Sequence, residues 1–334
     1  MIQRDKSWDA VKGLGILLVV MGHSGCPAYL HDFIYSFHMG LFFYVSGKFL
    51  KINRGGWKTM LFRRFQGLYV PFLSWGILYI VLHNVFFTLG WYKDSYTWIE
   101  MGKQILEVLA FKDVTESLLG PVWFLKSLFL GSLFTFIICL INRKRLQMVI
   151  VIGFYMIGWS CGTHYWPYVM NREIGVVIAI YSGYLLKDWN PVVSIKKFVL
   201  ISSVLVVAAF YVKIDVVGCL WGNIGCFPVL TFLGVVFIFN IIRFVQKVMP
   251  ELFNALSYLG ENSIYILILH FTAFHLFSSL LVSLGIGDRN SLSNITVLLG
   301  INHDWWFIPY TVVGVLLPLL YPLLKAKIKQ TVHV

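Results

Sequence analysis

The chain has 334 residues, 58% of them hydrophobic and only 13% charged, where a soluble domain carries about 25% charged residues. With a mean hydropathy of +0.77, a soluble enzyme is excluded. The formal charge of +12 has to be placed on a membrane topology before it can argue for nucleic acid.

A membrane-crossing helix needs about 20 largely apolar residues, and roughly ten stretches qualify. They run over 10–29, 33–50, 67–90, 120–141, 146–160, 167–186, 197–213, 224–242, 263–284 and 305–324. The N-terminus, the loops near 48–66, 142–145, 187–197 and 243–252, and the C-terminal tail hold 20 of the 27 Lys and Arg residues. The opposite side, helices included, holds 10 of the 15 Asp and Glu residues. Lys and Arg collect in the cytoplasm. The expected fold is therefore an all-α integral membrane protein of about ten transmembrane helices with both termini cytoplasmic, multi-pass in the cytoplasmic membrane. Topology accounts for the basic excess, so the expected partner is the lipid bilayer and no nucleic acid is called for. No internal repeat or soluble domain interrupts the pattern, and the chain reads as one domain over 1–334. The longest outer loop, 91–119, contains "WIEMGKQILEVLAF" (Trp98–Phe111), with Ile99, Ile105, Leu106 and Leu109 on one helical face. That pattern predicts a helix lying in the membrane interface. The five cysteines show no CxxC or Cys/His metal spacing, and sequence leaves any disulfide pairing open.

Titratable side chains inside a span mark functional sites. His23, in "WDAVKGLGILLVVMGHSG", lies six residues before the predicted outer end of the first span. His38, in "YSFHMGLFFYVSG", lies about six residues into the second. At a rise of 1.5 Å per residue, each is about 9 Å below the outer surface. A short hairpin joins the two spans, so the imidazoles can face each other. Lys126, in "GPVWFLKSLFLGS", sits at a similar depth in the fourth span. Taken singly, each has a plainer reading: a membrane histidine often bridges helices, and a lysine can snorkel. Three at one depth on three helices make a better site than any one alone. His270 and His275 are five apart and not on one face, and packing is favoured for His275. His31, His83, His164, His303 and His333 are given no role.

A neutral imidazole at such a depth suits removal of a proton from a hydroxyl. A metal is not expected, because the nearest acidic residues, Asp9 and Asp32, lie at opposite edges. Lys12 is about 16 Å from His23 along the helix, near the cytoplasmic surface, as are Arg63 and Arg64 in "MLFRRFQGLYVPF". Ordinary positive-inside anchoring accounts for each cation alone. Together they form a basic rim for an anionic ligand that reaches up toward His23.

Five segments carry a resemblance in order and spacing: "DAVKGLGILLVVMGH" (Asp9–His23), "FHMGLFFYVSGKFL" (Phe37–Leu50), "RRFQGLYVPF" (Arg63–Phe72), "PVWFLKSLF" (Pro121–Phe129) and "LGENSIYILILH" (Leu259–His270). They resemble the membrane acyltransferase-3 family, and within it the sugar O-acetyltransferases similar to fucose 4-O-acetylase. The resemblance implies a ten-helix fold that moves an acyl group from cytoplasmic acyl-CoA, here acetyl-CoA, onto an extracytoplasmic sugar or lipid-linked glycan. It implies a catalytic role for His23 and a donor-binding role for Lys12, where the family often has arginine. The family's His-Met-Pro motif reads His38-Met39-Gly40 here. His23 would act as general base on the acceptor hydroxyl or carry the acyl group itself, with Lys126 or His38 orienting it or stabilising the oxyanion. The same intramembrane cluster also suits a proton-coupled or lipid-linked-saccharide transporter. Against that rival, the chain lacks the paired interrupted helices of many transporters.

Overall fold

The computed structural model describes residues 6–52, 56–164, 166–293 and 305–332; Arg4, His303 and His333 lie outside them. Among the described residues the chain is all-helical, with one isolated bridge between Asp215 and Leu220. The helices are α1 (Lys6–His23), α2 (Ala28–Tyr35), α3 (His38–Lys48), α4 (Trp57–Arg64), α5 (Val70–Thr88), α6 (Trp98–Leu109), α7 (Trp123–Cys139) and α8 (Lys144–Cys161). They continue as α9 (Met170–Gly175), α10 (Val177–Leu185), α11 (Ile195–Tyr211), α12 (Cys226–Val248), α13 (Pro250–Glu261), α14 (Ser263–Ser283), α15 (Phe307–Leu316) and α16 (Leu320–Val332).

Five helical segments among the described residues are long and apolar enough to cross a membrane: Trp57–Thr88, Ser117–Cys139, Cys226–Val248, Ser263–Ser283 and Phe307–Lys325. Other stretches marked by hydropathy differ for visible reasons. The first carries Lys6, Asp9 and Lys12 in its opening turns. The stretch 33–50 is broken at Ser36–Phe37, where Phe37 leaves helical geometry (φ −144°) and the Ser36 hydroxyl donates to the Phe33 carbonyl. The stretch 167–186 is broken by left-handed Tyr168 and Val169, and again at Val176 between α9 and α10. The helix predicted at 98–111 is α6, opened by a capping box between Thr97 and Glu100. Met101 and Val108 pack inward, while Ile99 and Leu106 are 85% and 67% exposed. Similar apolar exposure runs along α11 at Val199, Leu200, Val207 and Phe210. Lipid is the solvent that such surfaces need. The protein is a multi-pass membrane protein.

The centre of the bundle is α1, which runs alongside α13 and α14 in the same direction. The contact is backbone against backbone. A Cβ on Gly13 would lie 1.8 Å from the Leu256 carbonyl oxygen, and one on Gly260 would lie 1.8 Å from the Asp9 carbonyl oxygen. Small residues at such crossings let membrane helices approach closely, and they fix the register as well. Ten residues separate Gly13 from His23, and ten separate Gly260 from His270. At about 1.5 Å per residue the two histidines arrive at the same level.

Candidate active site

The His23 and His270 rings lie parallel, 6° apart, and Nδ1 of His23 is 3.0 Å from Nε2 of His270. The other nitrogen of His270, Nδ1, is 2.9 Å from the Ile266 carbonyl oxygen. A carbonyl only accepts, so Nδ1 of His270 carries a proton. For a neutral pair, Nε2 of His270 is then the acceptor and Nδ1–H of His23 the donor. The lone pair of His23 is thereby placed on Nε2. Beyond His23, the Ser24 hydroxyl bonds the Met21 carbonyl at 2.7 Å and the Thr311 hydroxyl at 3.0 Å, tying the end of α1 to α15.

His38 reaches the same pocket from the start of α3. Its Nδ1–H donates to the Ile34 carbonyl at 2.9 Å, which leaves Nε2 as an acceptor. It is the same bond to the carbonyl four residues back that His270 makes inside α14, here running across the break at Ser36–Phe37 from the first turn of α3 to the end of α2. Tyr35 stands between the two histidines, its ring 6.2 Å from that of His23 and 4.8 Å from that of His38. Gly40, where the resembling family has proline, admits no side chain: a Cβ would lie 1.9 Å from Oγ1 of Thr231 on α12.

One hollow is lined by these rings, and two others adjoin it. The central one, about 420 Å³, is lined by His23, His38, Tyr35, Met39, Trp123 and Asp215, among others. A second, about 310 Å³, shares Val19, Met39 and Leu267 with it and continues along α1 past Ile16, one turn from Lys12. A third, about 810 Å³, shares Tyr35, Ile214, Asp215 and Val217 with the central one and is also lined by His31, Asp32 and Lys213. Burial pushes the Asp215 carboxyl above its ordinary range, against hydrogen bonds from the Gly218 and Val217 amides. Arg63 and Arg64 share a separate cleft of about 810 Å³ with Lys51. Arg64 donates to the Ser46 hydroxyl and carbonyl at 2.6 and 3.0 Å. Lys12 does not line that cleft; its amine pairs with Asp9 at 2.8 Å.

Lys126 is fully buried, and its amine is not directed at the histidines. It contacts Asp113 at 2.6 Å, the Tyr168 and Phe111 carbonyls at 3.1 and 3.2 Å, and Glu173 at 3.5 Å. Arg172 on α9 completes a quartet of two cations and two anions. It forks onto both Asp113 oxygens at 3.0 Å and onto Glu173 at 2.7 Å. Against the upward push of burial, the Arg172 charge and hydrogen bond, followed by those of Lys126, hold the Asp113 carboxyl below the usual carboxylate range. The Arg172 guanidinium also covers the Trp123 ring at 4.7 Å, and Trp123 lines the central pocket. The quartet therefore touches the pocket wall through Trp123.

Sequence reasoning missed His270, Arg172, Glu173, Asp113 and the environment of His83. The matched ten-residue spacings from Gly13 and Gly260 would have found His270. Opposite charges at Arg172–Glu173 inside an apolar stretch were a signal in themselves. His83 is buried between the Tyr92 and Tyr96 rings, with its nitrogens on Glu116 (3.0 Å) and the Asp94 carbonyl (3.0 Å). Its partners come from the 91–119 loop, which folds back over α5.

An all-helical, multi-pass membrane protein with a hydrogen-bonded histidine pair, His270 buried and His23 half-buried, facing a pocket defines a class able to do proton-transfer chemistry within a bilayer. The sequence model for the acyltransferase domain of the acyltransferase-3 family matches residues 5–301. The chain belongs to that family and is a membrane acyltransferase. Neither a curated protein nor a solved structure matches it.

Proposed function

We propose that this acyltransferase moves an acetyl group from cytoplasmic acetyl-CoA to a hydroxyl of an extracytoplasmic sugar or glycan, as its likeness to the fucose 4-O-acetylase branch implies, with His23 as general base. The observation that carries the reading is the proton order of the His270–His23 pair. It leaves the His23 Nε2 lone pair at a pocket with hollows on two sides.

In this reading the CoA phosphates meet the Lys51, Arg63 and Arg64 cleft on the cytoplasmic side, and Lys12 stands one helical turn from the hollow at Ile16. The pantetheine arm follows the narrow hollow lined by Ile16, Val19, Phe42 and Leu267. The acceptor comes through the cleft on the far side. Nε2 of His23 takes the hydroxyl proton as the oxygen attacks the thioester carbonyl carbon. The tetrahedral adduct collapses, the C–S bond breaks, and the sulfur leaves with the proton that Nε2 had held. His270, anchored on Ile266, accepts the Nδ1–H bond throughout and stabilises the imidazolium that forms. His38 and Tyr35 shape the wall beside the hydroxyl. Lys126 serves the framework that holds Trp123.

The test uses purified protein in lipid nanodiscs with radiolabelled acetyl-CoA, with and without extracted envelope glycans. CoA release and labelled glycan from wild type, both lost in His23→Ala, support the base. A labelled protein that chases into product would replace the direct base with an acyl-histidine relay. If wild type neither consumes nor binds acetyl-CoA, the donor assignment is wrong.

A further inference from the structure

The far cleft and the histidine pocket share one carboxylate, Asp215. It stands on a rigid turn between α11 and α12. The Asp215 and Leu220 backbones exchange two hydrogen bonds of 2.8 Å, and Cys219 is left-handed at φ 54°. Trp221, 2% exposed, pins the turn by donating to the Gly158 carbonyl at 3.1 Å. One carboxylate oxygen, Oδ1, accepts the Val217 amide at 3.2 Å. The neighbouring cation, Lys213, is paired with Asp32. Among the described residues no cation forms an ion pair with Asp215, and the residue lines both spaces. Tyr35 is a common wall of both spaces, its ring stacked on His31 at 3.8 Å.

Resting on the transferase reading above, we infer that Asp215 binds the acceptor: its carboxylate receives hydroxyl hydrogens of a neutral polyol, and the adjacent hydroxyl is thereby presented to Nε2 of His23. A carboxylate is an acceptor only, with about four lone-pair positions. It suits neighbouring hydroxyls of an uncharged sugar and repels a phosphate or a second carboxylate. The aromatic wall at Tyr35 gives the apolar face of a sugar ring a surface to lie on. Asp215 does not touch the transferred acyl group and moves no proton; it is a binding residue that sets acceptor class. A purely structural Asp215 would do no more than accept the Val217 and Gly218 amides of its own turn, and an asparagine Oδ1 still accepts the Val217 amide.

The discriminating experiment compares wild type with Asp215→Asn in nanodiscs. Acetyl-CoA is the donor, and the acceptors are a panel of neutral methyl glycosides (galactoside, glucoside, mannoside, fucoside), their single deoxy analogues and glucose 1-phosphate. CoA release is followed with a thiol reagent. Hydrogen bonds to a charged group predict a KM for the preferred neutral glycoside raised about 10- to 30-fold in Asp215→Asn. The acetyl-CoA KM is unchanged in the variant, which also reports that it is folded. Removing the sugar hydroxyl that contacts Asp215 raises KM similarly in wild type and adds little in the variant, as expected for two partners in one contact. Equal KM values in wild type and variant, or preference for glucose 1-phosphate, overturn the inference. His23-dependent CoA release that no neutral glycoside stimulates also overturns it and leaves the transferase reading standing. Absence of His23-dependent CoA release overturns both.

Discussion

The histidine row lines the central pocket, the Lys126 quartet reaches it only through Trp123, and the two titratable clusters are built in opposite ways. In the quartet every charge is answered: Lys126 and Arg172 face Asp113 and Glu173, and the Lys126 amine has four oxygen neighbours. In the row the hydrogen bonds run in one direction, from His23 to His270 to Ile266, and end on a lone pair facing a hollow. A balanced cluster holds shape, whereas a chain with one free end can accept a proton. Depth in the membrane and residue type do not separate these two cases. What the last group of each cluster faces, an opposite charge or an open hollow, does.

The largest effect expected is at the free end. His23→Ala removes the base and should lower the acyl-transfer rate about a thousandfold, within the range of general-base contributions, while acetyl-CoA binding persists. Single-turnover rates with labelled donor check this. A loss of donor affinity with an unchanged rate constant would instead make His23 a binding group. Next comes the quartet. Arg172→Met leaves the buried Glu173 and the half-buried Asp113 facing one lysine, and breaking a buried pair costs about 3–5 kcal/mol. Thermal unfolding in detergent should show that loss, whereas His23→Ala unfolds near the wild-type temperature. If the order were reversed, the contrast between the two clusters would fail.

The middle of the row gives a smaller effect. His270→Ala removes the acceptor that holds the His23 proton on Nδ1, and a rate loss of about 10- to 100-fold follows from a bond to a charged imidazolium. His270→Gln restores an oxygen acceptor and should recover part of the rate. If glutamine recovers nothing, His270 works by packing.

Much of this was legible in the sequence for one reason: hydropathy shows where a helix meets lipid, and a histidine in such a stretch stands out. That reasoning placed His23 and His38 within reach of one pocket and drew the helix α6. It could not see where a long apolar stretch breaks. The interruption at Ser36–Phe37 puts His38 at a helix start rather than two turns in, and only the folded backbone shows which carbonyl lies beside it. Nor could it see pairings made across the bundle. Asp113 comes from a loop, Arg172 from a six-residue helix, and Lys126 from a span, so no single periodicity joins them. For Lys126, depth alone suggested a place beside the histidines, and the structure gives its amine to Asp113.

The gentlest way to sharpen the comparison needs no change at the histidines. The folded structure holds the Asp113 carboxyl below its ordinary range. A group whose folded value is depressed contributes stability that is complete above its unfolded value, about 3.9 for Asp, and is lost as pH falls through the folded one. Acidification below about pH 4 should therefore lower the unfolding temperature of wild type toward that of Asp113→Asn. The variant, already lacking that charge, should show a shallower decline over the same window. Parallel curves would mean that Arg172 and Lys126 are balanced by Glu173 alone. Convergent curves would mean that the loop carboxylate is part of what holds Trp123, and through it one wall of the pocket.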